Sequence, residues 1–353
     1  MTALNDYRLL GRSGLRVSPL SLGTMTFGED WGWGAGRDEC RKMFDSYAEK
    51  GGNFLDSANV YTGGTSESII GEFIRSDRDY WVVATKYTIG ANTPSNPNGC
   101  GNHRKNLMNS LEASLRRLGT DYIDLYYVHS WEFRTRPDEV MRALDDAVRM
   151  GKILYAGVSN APAWKIAQCN VMAELRGWSE FVSLQMQYSL VEHTSDRELM
   201  PMCRELGIGT TPWSPLAFGL LSGKYSSKDL DAGDKGSERL AMMKDSGLWT
   251  EANLKIADEV IRIAREIGRT PAQVALNWVC AQPGITSPII GARTRAQLED
   301  NLGALDFALD DGHMAALNEV SRITLGYPHL QSERAAAIVD CGMSISPPGH
   351  VVL

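Results

Sequence analysis

Eight short apolar runs punctuate this chain, most of them spaced to leave room for a helix before the next. That alternation restricts the folds open to it more than any other feature. The runs are LSLGTM (20–25), NFLDSA (53–58), WVVATK (81–86), YIDLYYVHS (122–130), ILYAGVSN (153–160), FVSLQMQYS (181–189), IGTTPWSPL (208–216) and TSPIIGAR (286–293). They are mostly apolar throughout rather than alternating, as strands buried on both faces of a parallel sheet should be. Amphipathic stretches lie between them. In 104–118, Leu107, Leu111, Leu115 and Leu118 recur at spacings of four, four and three, with arginines on the other side. In 137–150, Pro137 suits a first helical position, and Val140, Leu144, Ala147 and Val148 form an inner face. LGT, MGK and RGW supply helix stops followed by strand starts. The opening YRLLGRSGLRVSPLSLG reads as a short hairpin turning at GRSG.

Eight β/α units predict a closed barrel of the (β/α)8 TIM type. The alternative is an open doubly wound sheet, which usually carries GxGxxG after its first strand. Here the first strand runs into GTMTFGEDWGWGAG, which does not match. GLLSGKY (219–225) has the wrong spacing for a phosphate loop and places Tyr225 where Ser or Thr is needed. A length of 353 residues suits one barrel domain over 1–353, with 326–353 a C-terminal extension lacking periodicity. Two long insertions, 87–103 and 218–250, read as functional or mobile loops.

Hydrophobic residues make up 43% of the chain, enough for a large core. The net charge of −7 and the lack of a Lys/Arg cluster argue against nucleic acid or an acidic membrane surface as partner. No signal-peptide pattern opens the chain and no apolar run is long enough to insert in a membrane, so a cytoplasmic location is expected. The six cysteines (Cys40, Cys100, Cys169, Cys203, Cys280 and Cys341) are scattered and form no CxxC pair. Reduced thiols are expected, with no metal site.

In a barrel, reactive groups gather at the C-terminal strand ends. Those ends carry Asp56, Lys86 and His129, and Tyr61 follows Asp56 by five residues. A lone buried charge is strongly disfavoured, so Asp56 and Lys86 are expected to pair across neighbouring strands. A phenol beside a lysine has its pKa lowered toward the working pH, which makes Tyr61 a usable general acid. A neighbouring imidazole could hold a substrate oxygen in line with that phenol. Each residue alone also fits a buried, satisfied polar group; four together point to a site.

NFLDSANVYTGGTSESIIG (53–71), VATK (83–86), DLYYVH (124–129) and GVSN (157–160) closely resemble the aldo-keto reductases. The resemblance continues through LQMQYSL, TPWSPLAFGLLSGKY and PIIGARTRAQLEDNL and covers about residues 8–320. It implies a (β/α)8 barrel that reduces small-molecule carbonyls with NADPH, giving NADP+, through a tetrad of Asp56, Tyr61, Lys86 and His129. Tyr61 would protonate the carbonyl oxygen, Lys86 lower the phenol's pKa, Asp56 hold Lys86, and His129 orient the carbonyl. For the cofactor, the resemblance implies Gly23, Thr24 and Met25 at the nicotinamide end, close to Asp56. It implies Ser159, Asn160 and Gln185 on the carboxamide, and Trp213 stacked on the nicotinamide ring. Ser214, Leu216, Gly219 and Lys224 would embrace the pyrophosphate, and Gly291, Arg293, Gln297 and Asn301 the adenosine phosphate. A guanidinium at Arg293 suits a bidentate grip on a 2′-phosphate.

The pocket mouth is expected to involve Met25, Phe27, Trp31, Trp33, Tyr87 and Trp131. Aromatic faces there suit an apolar, aromatic or sugar-like carbonyl. SPLAFGLLSGKY and GAR are spelled most like the bacterial and potassium-channel β-subunit branches. Three readings follow from that resemblance: a general aldehyde reductase, a pathway reductase of a keto-sugar nucleotide, and a cofactor-sensing channel partner. The sequence leaves a homo-oligomer open.

Overall fold

The computed structural model describes residues 2–90, 96–230, 238–339 and 341–344. The chain opens with β1 (Arg8–Leu9) antiparallel to β2 (Arg16–Val17), the expected hairpin. Eight parallel strands follow: β3 (Ser21–Gly23), β4 (Phe54–Asp56), β5 (Val82–Tyr87), β6 (Ile123–Val128), β7 (Ile153–Ser159), β8 (Phe181–Gln185), β9 (Gly209–Thr210) and β10 (Ile289–Gly291). Their spatial order is β10-β3-β4-β5-β6-β7-β8-β9. The two ends of that series meet, because the amides of Thr286 and Ser287 donate to the Thr210 carbonyl and the Ile289 amide donates to Pro212 at 2.8 Å. This is the predicted (β/α)8 barrel.

Most strands are shorter than the apolar runs that announced them. The run 208–216 contributes only Gly209–Thr210 to the ladder, since Pro212 has no N–H to donate and Ser214 turns to a φ of 55°. The helices follow their patterns more closely. Arg104–Leu118 buries Leu107, Leu111, Leu115 and Leu118 and stops at Gly119, whose φ of 63° suits a residue without Cβ. Pro137–Arg149 begins on its proline and buries Val140, Leu144 and Ala147.

Two loop expectations need correction. The stretch 218–250 contains a helix, Glu238–Asp245, anchored by buried Leu240 and Met243; residues 231–237 lie outside the described residues. The extension 326–353 contains the helix His329–Val339, whose apolar residues show no helical stripe to read; residues 340 and 345–353 lie outside the described residues, as do 91–95 of the first loop.

Strand parity decides what fills the barrel. Val82 and Ala84 point inward with Phe54, Leu125 and Tyr127, and the hairpin adds Leu10 and Val17 to the same cluster. Val83 and Tyr87 on the same strand face the outer helices instead. The hairpin therefore seals the N-terminal end of the barrel with apolar side chains, while the C-terminal strand ends carry polar groups.

Candidate active site

Lys86 is the next inward position after Ala84, and its side chain is 0% exposed. Its ammonium donates to Asp56 Oδ2 at 2.7 Å, to the Ser57 carbonyl at 2.6 Å and to the Tyr61 hydroxyl at 3.4 Å. Asp56 sits on the neighbouring strand β4, and its other oxygen accepts from Gln185 Nε2 at 2.8 Å. The buried charges are thus paired and fully hydrogen-bonded, the condition under which such a pair persists. Tyr61 reaches the ammonium from a tight turn, in which Thr62 and Gly63 adopt positive φ angles of 47° and 65°. His129, just past β6, stands edge-on to the Tyr61 ring with centroids 6.2 Å apart.

Burial pushes the Lys86 pKa down, but Asp56 and Tyr61 outweigh it, so the net shift is upward and the ammonium stays charged. Burial also drives the Tyr61 phenol upward, more strongly than Lys86 pulls it down. The expected lowering of this phenol is therefore corrected: desolvation wins, and the hydroxyl is held as a proton donor at neutral pH. His129 is pushed down to about 3, by burial first and then by the Lys86 ammonium. It is a neutral imidazole, and its Nδ1 is buried without a hydrogen-bond partner among the described residues.

The other expected residues divide between rim and interior. Trp31 packs edge-on against Tyr61, with centroids 6.5 Å apart, and Trp33 lies 5.4 Å from Trp31 and backs it. Tyr87 and Phe27 do not line the mouth. Tyr87 points away from the barrel interior, stacks on Tyr126 and donates to the Asn102 carbonyl. Phe27 is wholly buried in the outer core. Trp131 is buried too, with its amide donating to Asn160 and the Lys165 ammonium over its ring. Met25 is half-buried. Thr24 turns its hydroxyl onto the Asp56 carbonyl and Ser66, so its side chain is occupied in supporting β4.

Around the tetrad, Asn160 Nδ2 donates to the His129 carbonyl and Asn160 Oδ1 accepts from Trp213 Nε1 at 3.2 Å. Ser159 Oγ is buried and lacks a hydrogen-bond partner among the described residues. Gln185 was expected to contact a cofactor amide, but its own amide nitrogen is committed to Asp56. Beyond Trp213, Ser214, Ala217, Phe218 and Gly219 all take positive φ, between 48° and 99°, a strain that functional loops carry more often than others. Leu216 accepts from the Gly219 amide within that winding, and Lys224 follows, exposed. Along the last rim segment, Asn301 donates to the Gly291 carbonyl and the Arg293 amide donates to Gln297 Oε1. Sequence reasoning missed the Ser57 carbonyl, which no side-chain pattern reveals. It also missed the left-handed Ala217 and Phe218, which only the adjacent Gly219 hinted at.

A sequence model described as "Aldo/keto reductase family" matches residues 19–322. The chain belongs to the aldo/keto reductase family. Among the similar curated proteins, norsolorinic acid reductase of Aspergillus flavus is 36% identical over 340 residues, covering 93% of this chain and 84% of the relative. An aryl-alcohol dehydrogenase [NADP(+)] of Phanerodontia chrysosporium is 35% identical over 345 residues, covering 93% and 89%. An uncharacterized oxidoreductase, YrpG of Bacillus subtilis, is 38% identical over 324 residues, covering 89% and 95%. This aldo/keto reductase is accordingly an oxidoreductase of a family that works with nicotinamide dinucleotides. Its residues fit such a group. The orphaned Ser159 hydroxyl is a polar atom awaiting a partner, and the rim at Gly291 is open, since a Cβ there would meet nothing within 4 Å. No carboxylate pairs with Arg293 among the described residues. Among the described residues no helix is long and apolar enough to cross a membrane.

Proposed function

We propose that this chain reduces aldehydes and ketones to alcohols with NADPH, aryl aldehydes among its substrates, and that Tyr61 is the proton donor. The observation that carries the reading is the Asp56–Lys86–Tyr61 chain of contacts beside a neutral His129. Ser159, Asn160 and Trp213 would hold the nicotinamide end, the strained turn at Ser214–Gly219 with Lys224 the pyrophosphate, and Arg293, Gln297 and Asn301 the adenosine phosphate. The chemistry that the bound cofactor supplies is hydride donation to the carbonyl carbon.

The remaining work falls to the chain. The neutral His129 directs the carbonyl oxygen toward the Tyr61 hydroxyl without bringing a competing positive charge. Tyr61 delivers its proton to that oxygen as negative charge develops there. Lys86 stabilises the phenolate left behind, because a full, buried cation 3.4 Å away interacts strongly with new negative charge. Asp56 keeps Lys86 in place, and bulk solvent returns the proton to Tyr61 once the alcohol leaves. Trp31 and Trp33 give the mouth an aromatic wall against which a planar ring can pack. The name of the aryl-alcohol dehydrogenase relative supports an aryl substrate and NADP.

The test is steady-state oxidation of NADPH by the purified protein with benzaldehyde and 4-nitrobenzaldehyde. Turnover with NADPH that disappears in Tyr61→Phe is expected. Undiminished turnover in that variant, or none with any carbonyl offered, overturns the proposal.

A further inference from the structure

Ser66 belongs to no expected set of site residues, yet its hydrogen bonds lead to the groups that hold the tetrad. It lies in the first turn of the helix Thr65–Phe73 and is wholly buried. Its hydroxyl is 3.0 Å from Ser57 Oγ and 2.8 Å from Thr24 Oγ1, and donates to the Thr24 carbonyl at 2.8 Å. Carbonyl oxygens only accept, so they fix the direction of the chain. Ser66 gives its proton to the Thr24 carbonyl, and Thr24 gives its own to the Asp56 carbonyl at 2.9 Å. The Ser57 hydroxyl is left to donate to Ser66. The chain therefore starts on Ser57 and returns to Asp56, consecutive residues that both hold the Lys86 ammonium.

The Ser66 backbone reaches the other partner. Its amide donates to Thr62 Oγ1 at 3.0 Å, and Thr62 donates onward to the Phe27 carbonyl at 2.8 Å. Thr62 is the left-handed residue directly after Tyr61. The helix start is itself anchored, because the buried Glu67 accepts from Thr85 Oγ1 and pairs with Arg117, both at 2.6 Å. Lys86 has three N–H bonds, and all three are committed, to Asp56, the Ser57 carbonyl and Tyr61. The first two contacts are 2.7 and 2.6 Å, and the Tyr61 contact is the long one at 3.4 Å. An ammonium held this way moves when one acceptor moves, and its longest contact is the first to go. Without the bond to Ser66 the Ser57 peptide is free to turn, and the ammonium follows its carbonyl.

We propose that Ser66 is a positioning residue, which sets the distance between the Lys86 ammonium and the Tyr61 hydroxyl by fixing Ser57 on one side and Thr62 on the other. The assignment rests on the reading of Tyr61 as proton donor. Wholly buried, Ser66 acts through these neighbours and not by touching a substrate.

Two readouts test it, one of them independent of turnover. In NMR of protein isotope-labelled at tyrosine Cζ, the Tyr61 signal is identified by its loss in Tyr61→Phe. Ser66→Ala should move that signal toward its position in Lys86→Met/Asp56→Asn, where the cation is gone. In steady-state turnover, Ser66→Ala should lower kcat by about ten- to a hundredfold and leave KM unchanged. Ser57→Ala cuts the same chain and should match it, and the double variant should be no worse than either single one. Ser57→Ala carries both readouts if Ser66→Ala does not fold. Ser68→Ala, exposed on the same helix, should change neither. An unmoved Tyr61 signal, an unchanged kcat, a loss confined to KM, or additive losses in the double variant would each overturn the proposal. A wild type that reduces no carbonyl sinks the reading of function instead, and the Tyr61 signal still decides the role of Ser66.

Discussion

The ammonium of Lys86 lies 3.4 Å from the Tyr61 hydroxyl and 4.9 Å from the centroid of its ring. The cation therefore touches the phenol at both its oxygen and its π-face. Burial nevertheless leaves the phenol above its ordinary pKa. On the proposed mechanism, the lysine's contribution would be to the phenolate once the proton has gone rather than to its release beforehand.

Tyr61→Phe removes the only atom of this ring able to give up a proton. We expect kcat to fall by about 10²–10⁴-fold, with cofactor affinity little changed. Stopped-flow binding alongside steady-state turnover separates the two; a proportional loss of affinity would place Tyr61 in binding rather than in proton transfer.

Lys86→Met leaves Asp56 charged, buried and short of its cation. A loss of about 3–5 kcal/mol in unfolding free energy is expected. Adding Asp56→Asn should recover much of it, because the orphaned charge is then gone. Chemical denaturation of the two single variants and the double variant gives the coupling. Simple additivity would mean that the pair is not interacting as the 2.7 Å contact implies.

His129 titrates at about 3 in the fold against an ordinary 6.5. Between those values the unfolded chain takes up a proton that the folded chain refuses. Its contribution to stability is therefore complete above pH 6.5 and is lost as pH falls from 6.5 toward 3. His129→Gln should flatten that acid limb, measured as denaturation midpoint against pH. Turnover of the wild type should show no inflection near 6.5. It should decline only in alkaline solution, above the ordinary phenol value of 10.0, where Tyr61 loses its proton.

Arg293→Ala should weaken NADPH by about ten- to a hundredfold through loss of charge-assisted bonds to the 2′-phosphate, while NADH binding barely moves. Fluorescence titration with both cofactors is the measurement. Equal losses would assign Arg293 to some other duty.

That Asp56, Tyr61, Lys86 and His129 come together was legible because polar groups interrupt apolar runs at strand ends. Asp56, Lys86 and His129 each stand where burial would be costly without a partner. The helix at 104–118 was legible through its leucine spacing and its glycine stop. Tyr87 was expected at the mouth as a residue following a strand end, yet it is the last residue of the strand itself. Successive strand side chains take opposite faces, so an inward Lys86 obliges an outward Tyr87. Phe27 follows a strand end yet belongs to the core, which a loop sequence does not betray. The direction of the phenol's shift depended on how much solvent its surroundings exclude, a property of packing rather than of spacing. Helices such as Glu238–Asp245 form within polar segments through a few long-range contacts, here Leu240 and Met243, that carry little periodic signal.

Leu10 and Val17 make the barrel a cup rather than a tube. Every molecule that reaches the phenol must come in over the same lip, and every product must go back the way it arrived. If a planar guest seats beside Trp31 as proposed, it would stand between that lip and whatever lies deeper, and the two reactants would have to board and disembark in turn.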